Sequence, residues 1–311
     1  MEYRRLGTTE LRVSGLGLGT VELGMPYGLG LPTPPGDQEC IGLLRRAYEL
    51  GSTYFDTAAA YGRSEELLGR AFAGTTERPV IATKTAIRAR PDARPLQGTQ
   101  LRRHVEESVA RSLRLLGVDA LDLVQVHNSA GPFVTAGLVE LMEELRGRGW
   151  VRHWGASTYG RDDALHLLEN AEHFESLQVA HSALDRRLAA DVLPACRRHR
   201  IGVVLRSVFL KGVLSDRYRT LPDVLEPLRR AARQLEAVAV TVGTSLSSLA
   251  LRFAAFSSWG HVTLVGTASL AELEANLAAY AAGPLPPEAS ALVQAVVEPD
   301  DRLLNPANWE S

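Results

Sequence analysis

Lysine and cysteine are nearly missing from this chain. Of its 34 Lys and Arg residues only two are lysines, Lys84 and Lys211, and the rest of that positive charge is carried by arginine. The two cysteines, Cys40 and Cys196, stand far apart without C-x-x-C or Cys/His ligand spacing, so neither a disulfide framework nor a zinc site is indicated. Blocks of like charge and low-complexity tracts are also lacking, which leaves no signature of a nucleic-acid partner. No run approaches the roughly 18 apolar residues of a membrane span, and the opening MEYRRLGTTELRV is charged where a secretory leader would be apolar. A cytoplasmic location without membrane association is the expectation. What remains is the composition of a globular protein, 45% hydrophobic and 23% charged with a net charge of −2.

Short apolar runs alternate with longer amphipathic stretches along the whole sequence. The strand candidates are residues 16–20, 52–57, 79–84, 121–127, 151–157, 176–181, 201–207 and 261–266. Between them stretches such as DQECIGLLRRAYEL, TQLRRHVEESVARSLRLLG and VTAGLVELMEELRGRG repeat apolar residues at three and four, the period of an amphipathic helix. Eight strand–helix units without a composition break predict a single α/β domain over residues 1–311, a (β/α)8 TIM barrel, with a doubly wound sheet as the alternative. EYRRLGTTELRV reads as an N-terminal β-hairpin plugging one barrel end, and the segment after the last unit as one helix followed by an irregular tail. Two connections, 21–36 and 207–227, are too long for plain βα loops, and long loops of this kind are functional or disordered.

The few polar residues at strand ends now matter, because a parallel barrel assembles its chemistry from the C-terminal ends of its strands. Asp56 closes the second strand candidate, Lys84 the third and His127 the fourth, while Tyr61 follows Asp56 in the next turn. A lysine behind the apolar run VIAT needs a reason, since a buried charge is costly. An ammonium is a compact charge with a shiftable pKa, whereas a guanidinium is always protonated. Lys84 beside a phenol stabilises phenolate and is expected to lower the pKa of Tyr61, with Asp56 as its counter-ion and His127 orienting an oxygen or sharing in proton movement. Tyr61 then protonates an oxygen that gains negative charge. That is half of a carbonyl reduction, and the other half, a hydride, implies a nicotinamide cofactor.

These residues resemble the aldo-keto reductase superfamily. The matching pieces are the hairpin with LGLGT, FDTAAAYGRSEELLGRAF, VIATK, LGVDALDLVQVH, LRGRGWVRHWGAST, LQVAHSALDRR, LRSVFLKGVL and LVGTASLAELEANL, in family order over nearly the whole chain. The resemblance implies a metal-free barrel binding NAD(P)H in extended form, with a catalytic tetrad of Asp56, Tyr61, Lys84 and His127. It further implies that Ser157, Thr158 and Gln178 hold the nicotinamide carboxamide, that Gly19 and Thr20 lie along its ribose with Asp56 a further cofactor contact, and that Ser207, Phe209, Leu210, Lys211 and Gly212 fold over the pyrophosphate. Gly266, Thr267, Glu272 and Asn276 fall at the adenosine end.

The chain departs from the family at several points. Thr158 stands where Asn is common, and Arg206 where an aromatic ring often stacks on the nicotinamide. Glu272 would repel a 2′-phosphate and suit a ribose hydroxyl, although the superfamily usually prefers NADP; the choice between NADP and NAD stays open. Tyr27, Tyr61, His127, Phe133 and Trp309 are the candidate substrate contacts, with packing as the other reading of Trp309. With no cluster of positive charge marking an anionic substrate, a small uncharged aldehyde, ketone or sugar is expected, and reduction is favoured over oxidation of a lactol or alcohol. A regulatory nucleotide-binding subunit of the same fold is the rival reading, and the oligomeric state stays open.

Overall fold

The first two short strands, β1 (Tyr3–Arg5) and β2 (Arg12–Ser14), pair antiparallel with Tyr3 opposite Ser14. Their turn passes through Gly7 at φ +57°, where a side chain would also collide with the backbone nitrogen of Gly202, so only glycine fits. The eight apolar runs then form β3 (Leu16–Gly19), β4 (Tyr54–Asp56), β5 (Val80–Thr85), β6 (Leu121–Ser129), β7 (Val151–Thr158), β8 (Ser176–Ala180), β9 (Gly202–Arg206) and β10 (Val262–Gly266). They close into a parallel barrel in which β10 pairs with β3. This computed structural model describes residues 1–28, 33–90, 93–129 and 132–309, so the middle of the predicted long loop 21–36 and the end of the tail lie outside the described residues.

The strands read as nearly continuous apolar runs because both of their faces are buried. Residues such as Leu18, Ile81, Val124, Trp154, Leu177 and Leu205 point outward into a large cluster shared with the surrounding helices. Inward-facing Tyr54, Ala82, Leu123, Val204, Val262 and Leu264 meet Leu6, Leu11 and Val13 of the hairpin region. Each fully buried aliphatic side chain here contributes about 1.5–3 kcal/mol, so this end of the barrel is a packed plug. Moving two residues along a strand keeps the same face. From the apolar layer, that step leads from Tyr54 to Asp56, from Ala82 to Lys84 and from Leu123 to Gln125, and so carries polar groups to the opposite end.

The helices follow their sequence signals. Asp37–Glu49 begins where Glu39 accepts from the Gly36 nitrogen at 3.1 Å, Gly98–Leu116 stops at Gly117 with φ +63°, and Ala136–Gly147 starts at Thr135, whose hydroxyl accepts from Leu138 at 3.2 Å. Among the described residues no single helix is long and apolar enough to cross a membrane. The predicted terminal helix is Pro287–Ala295. Arg186 ties it and the tail down by donating to the carbonyls of Val293 at 2.8 Å and Val296 at 2.7 Å, and to Glu298 at 2.8 Å.

Candidate active site

At the polar end Asp56 is the hub. Lys84 Nζ donates to its Oδ2, and Gln178 and Gln125 donate to its Oδ1 at 2.6 and 3.2 Å. Lys84 also donates to the Thr57 carbonyl at 2.9 Å, and its side chain is 0% exposed. Tyr61 is brought over this pair by the turn after β4, which is held by Ala59 N–H donating to the Lys84 carbonyl at 3.1 Å and Arg63 N–H to the Gly24 carbonyl at 3.2 Å. Gly24 permits that approach, because a Cβ there would strike the carbonyl oxygen of Tyr61. The Lys84 ammonium lies 4.9 Å from the centre of the Tyr61 ring, and the His127 ring meets Tyr61 edge-on at 5.6 Å. All four residues singled out in the sequence thus meet in one place.

The electrostatics correct one expectation. Burial, followed by the charge of Asp56, raises the Tyr61 pKa above its ordinary value, with Arg206 opposing. A net lowering does not occur, because burial dominates. Burial pulls Lys84 itself downward, and Asp56 opposes this. Burial, aided by the charges of Lys84 and Arg206, pushes His127 down to about 3, so its imidazole is neutral at physiological pH. The group is therefore a protonated phenol, a neutral imidazole and an internally neutral ion pair.

A cavity of about 320 Å³ runs from this group along the rim. Gly19, Thr20, Tyr27, Asp56, Tyr61, Ser157, Gln178, Arg206, Ser207, Phe209, Lys211, Gly212, Gly266, Glu272 and Asn276, all singled out in the sequence, line it. Others lie elsewhere. Phe133 is 1% exposed and packs against His166 and Phe174, because the segment before its helix folds onto the outer core; it is not a cavity residue. Leu210 is buried in a second apolar cluster, and Thr267 donates to Glu272 at 2.7 Å from behind the wall. Thr158 turns outward with its hydroxyl buried and unpartnered, while its carbonyl accepts from Arg206 at 2.8 Å. Trp309 donates to the Leu303 carbonyl at 2.8 Å and packs on the tail. Lys84 is buried behind Asp56, and His127, partly exposed, sits beside Tyr61.

The residues present fit a dinucleotide. Gly19 and Gly266 lie side by side in register, and a Cβ at Gly19 would meet only the Val265 carbonyl, at 3.7 Å, so the floor between the two ends of the cavity is open to a ligand. Ser207, Leu210 and Lys211 hold φ of 60°, 45° and 55°, uncommon for residues with side chains, in the loop beside that floor. Such strain collects at ligand clamps. Sequence reading missed Gln125, Glu22, Tyr159, Arg217 and the serines at 245, 247 and 248, of which all but Gln125 line the cavity. Gln125 was within reach, being two residues before His127 on the same strand face.

A closed parallel barrel with a buried Lys–Asp pair, a tyrosine and a histidine beside a cavity along its rim is the architecture of the barrel oxidoreductases. The chain belongs to the aldo/keto reductase family, whose sequence model matches residues 15–298. It is similar to the NADH-specific methylglyoxal reductase of Escherichia coli K12, 33% identical over 227 residues that span 68% of each chain. It also resembles the L-galactose dehydrogenase of Arabidopsis thaliana, 25% identical over 319 residues covering 99% of this chain and 98% of that one. Among solved structures, the holo form of an aldo-keto reductase from Bacillus halodurans superposes with a TM-score of 0.80 at 27% identity, covering 96% and 97% of the two chains. The protein is an NAD(P)-dependent oxidoreductase acting on alcohol and carbonyl groups.

Proposed function

We propose that the protein reduces the carbonyl group of a small uncharged aldehyde, ketone or sugar, with Tyr61 as the proton donor. The observation that carries this reading is the buried Lys84–Asp56 pair set against the Tyr61 ring at the mouth of the cavity. A reduced nicotinamide, when bound, supplies the hydride. Tyr61 remains protonated because burial raises its pKa, which is the form a donor needs. As its proton moves to the carbonyl oxygen, the phenolate left behind is stabilised by the Lys84 ammonium beneath its ring and by Arg206. Neutral His127, edge-on to Tyr61, offers a ring N–H that orients the carbonyl oxygen. Asp56, fixed by three donors, keeps Lys84 charged in an otherwise unfavourable setting. Ser157 and Gln178 present hydroxyl and amide groups to the carboxamide of the cofactor.

On this reading the cofactor is NADH. Residues 266–276 would hold the adenosine end, and among them Glu272 has its carboxylate held by Thr267 at 2.7 Å and by Arg217 at 3.0 Å. Glu22 stands by, its carboxylate 3.2 Å from where a Gly266 Cβ would lie, and burial and the charge of Glu272 raise its pKa. Two carboxylates against one arginine leave a negative end that disfavours a phosphate carrying about two negative charges. The resemblance to an NADH-specific reductase agrees.

The test is loss of reduced-nicotinamide absorbance with a panel of aldehydes, methylglyoxal included, for the unmodified protein and Tyr61→Phe. Turnover is expected to fall by at least about 10²-fold while cofactor affinity stays within about twofold. Equal turnover by both proteins removes Tyr61 from the proton-donor role.

A further inference from the structure

Charge at the reaction end of the cavity does not sum to zero. Lys84 and Asp56 cancel, and Tyr61 and His127 are held uncharged. Arg206 is left over. It is half-buried at the end of β9, and no carboxylate among the described residues lies within ion-pair distance of it. Its position is fixed: Nη1 donates to Ser207 Oγ at 3.0 Å, Nη2 donates to the Thr158 carbonyl at 2.8 Å, and the Tyr159 ring lies 4.1 Å from its Cζ. Ser157 pairs in register with Gln178, and Ala180 with Arg206, so three neighbouring strands carry Ser157, Gln178 and Arg206 to one wall. The field of Arg206 reaches Tyr61, His127 and Lys84, lowering each.

We propose that Arg206 sets the redox bias of the bound cofactor: its fixed positive charge weakens binding of the oxidised, cationic nicotinamide relative to the reduced, neutral one. This rests on the function proposed above. Hydride passes only between atoms in contact, and Ser157, Gln178 and Arg206 line the same cavity as Tyr61, so they would be the residues to hold a nicotinamide serving a carbonyl at Tyr61. In the reduction the carbonyl carbon takes the hydride with its electron pair, the oxygen takes the Tyr61 proton, and one positive charge is left on the nicotinamide ring. That charge appears beside a guanidinium that cannot give up its own proton. Each Nη already serves a fixed acceptor, which holds the guanidinium in place while its charge acts through space. Like charges at this range in a partly buried site are enough for at least about a tenfold difference in affinity. The oxidised form then leaves readily, while hydride transfer out of the bound reduced form becomes less favourable by the same factor.

Binding is read by fluorescence titration with NADH and by competition with NAD⁺, with NADPH and NADP⁺ in parallel. The proteins are the unmodified chain, Arg206→Gln and Arg206→Lys. The unmodified protein is expected to hold the reduced form at least about tenfold more tightly than the oxidised form. Arg206→Gln should shrink that ratio by about tenfold, mainly by tightening the oxidised form, whereas Arg206→Lys, which keeps the charge, should preserve it. Arg206→Met, also neutral, gives the same reading if Arg206→Gln does not fold. A neutral variant that binds NADH and leaves the ratio unchanged overturns the redox role alone. Failure of the unmodified protein to bind either form overturns the proposed function along with it.

Discussion

The two lysines of this arginine-rich chain sit in opposite physical settings. Lys84 is buried in a strand, with its ammonium fixed by Asp56 and the Thr57 carbonyl. Lys211 sits in a left-handed turn at φ +55°, in a loop, with its ammonium 5.8 Å from the Tyr27 ring and 6.0 Å from the Trp309 ring. A strand dictates where its side chains point, because alternation is fixed by the backbone. A loop dictates nothing of the kind, and its direction comes from neighbours brought by other parts of the chain. The first lysine is held by the fold; the second has a site only because two aromatic residues meet it there.

Breaking the buried member gives the largest effect. Lys84→Met leaves Asp56 as an uncompensated buried carboxylate and is expected to destabilise the fold by about 3 kcal/mol. Carbonyl-reducing turnover should fall by at least about 10³-fold, since both the counter-charge and the phenolate support vanish. Adding Asp56→Asn to Lys84→Met removes the orphaned charge as well. The double variant should regain most of the lost stability in thermal melts and none of the turnover. Recovery of both would mean that Lys84 acts only as a counter-ion for Asp56.

The same contrast explains what was legible in the sequence. All eight strands and the convergence of Asp56, Lys84 and His127 follow from local periods that the barrel preserves, while Tyr61 is brought to them by the turn after β4. Gln125 obeys the same rule and was open to the same reading. Glu22 and Arg217 come from the long connections, where no period relates sequence to direction, and their meeting with Glu272 depends on how two separate loops fold over the rim. Phe133 and Trp309 were candidate substrate contacts with packing as the other reading, and packing claims both: Phe133 by His166 and Phe174, Trp309 by the tail. The pKa of Tyr61 was misjudged for a related reason, since position could suggest the neighbouring cation but not the degree of burial.

A smaller effect is expected at the far end of the cavity, where charges are half-exposed and screened by solvent. Glu272→Gln removes one of two carboxylates and frees Arg217 from its partner. The ratio of NADPH to NADH affinity should rise by about tenfold, chiefly through tighter NADPH binding, as measured by fluorescence titration. A ratio that stays put would show that Glu272 is a surface charge with no part in cofactor choice.

The smallest effect belongs to Lys211. An ammonium over two aromatic rings gains modestly from each ring face and can still turn toward an anion. Lys211→Gln is therefore expected to leave the melting temperature unchanged while weakening NADH binding by about three- to tenfold, and the loss should shrink as salt is raised. Salt separates the two roles this side chain can have. A clip that merely holds Tyr27 and Trp309 together would, on removal, loosen the loop at every ionic strength, whereas a cation facing the pyrophosphate loses its advantage once mobile ions screen the pair. A salt-independent loss would thus make Lys211 a structural residue, and the contrast with Lys84 would then be one of depth alone.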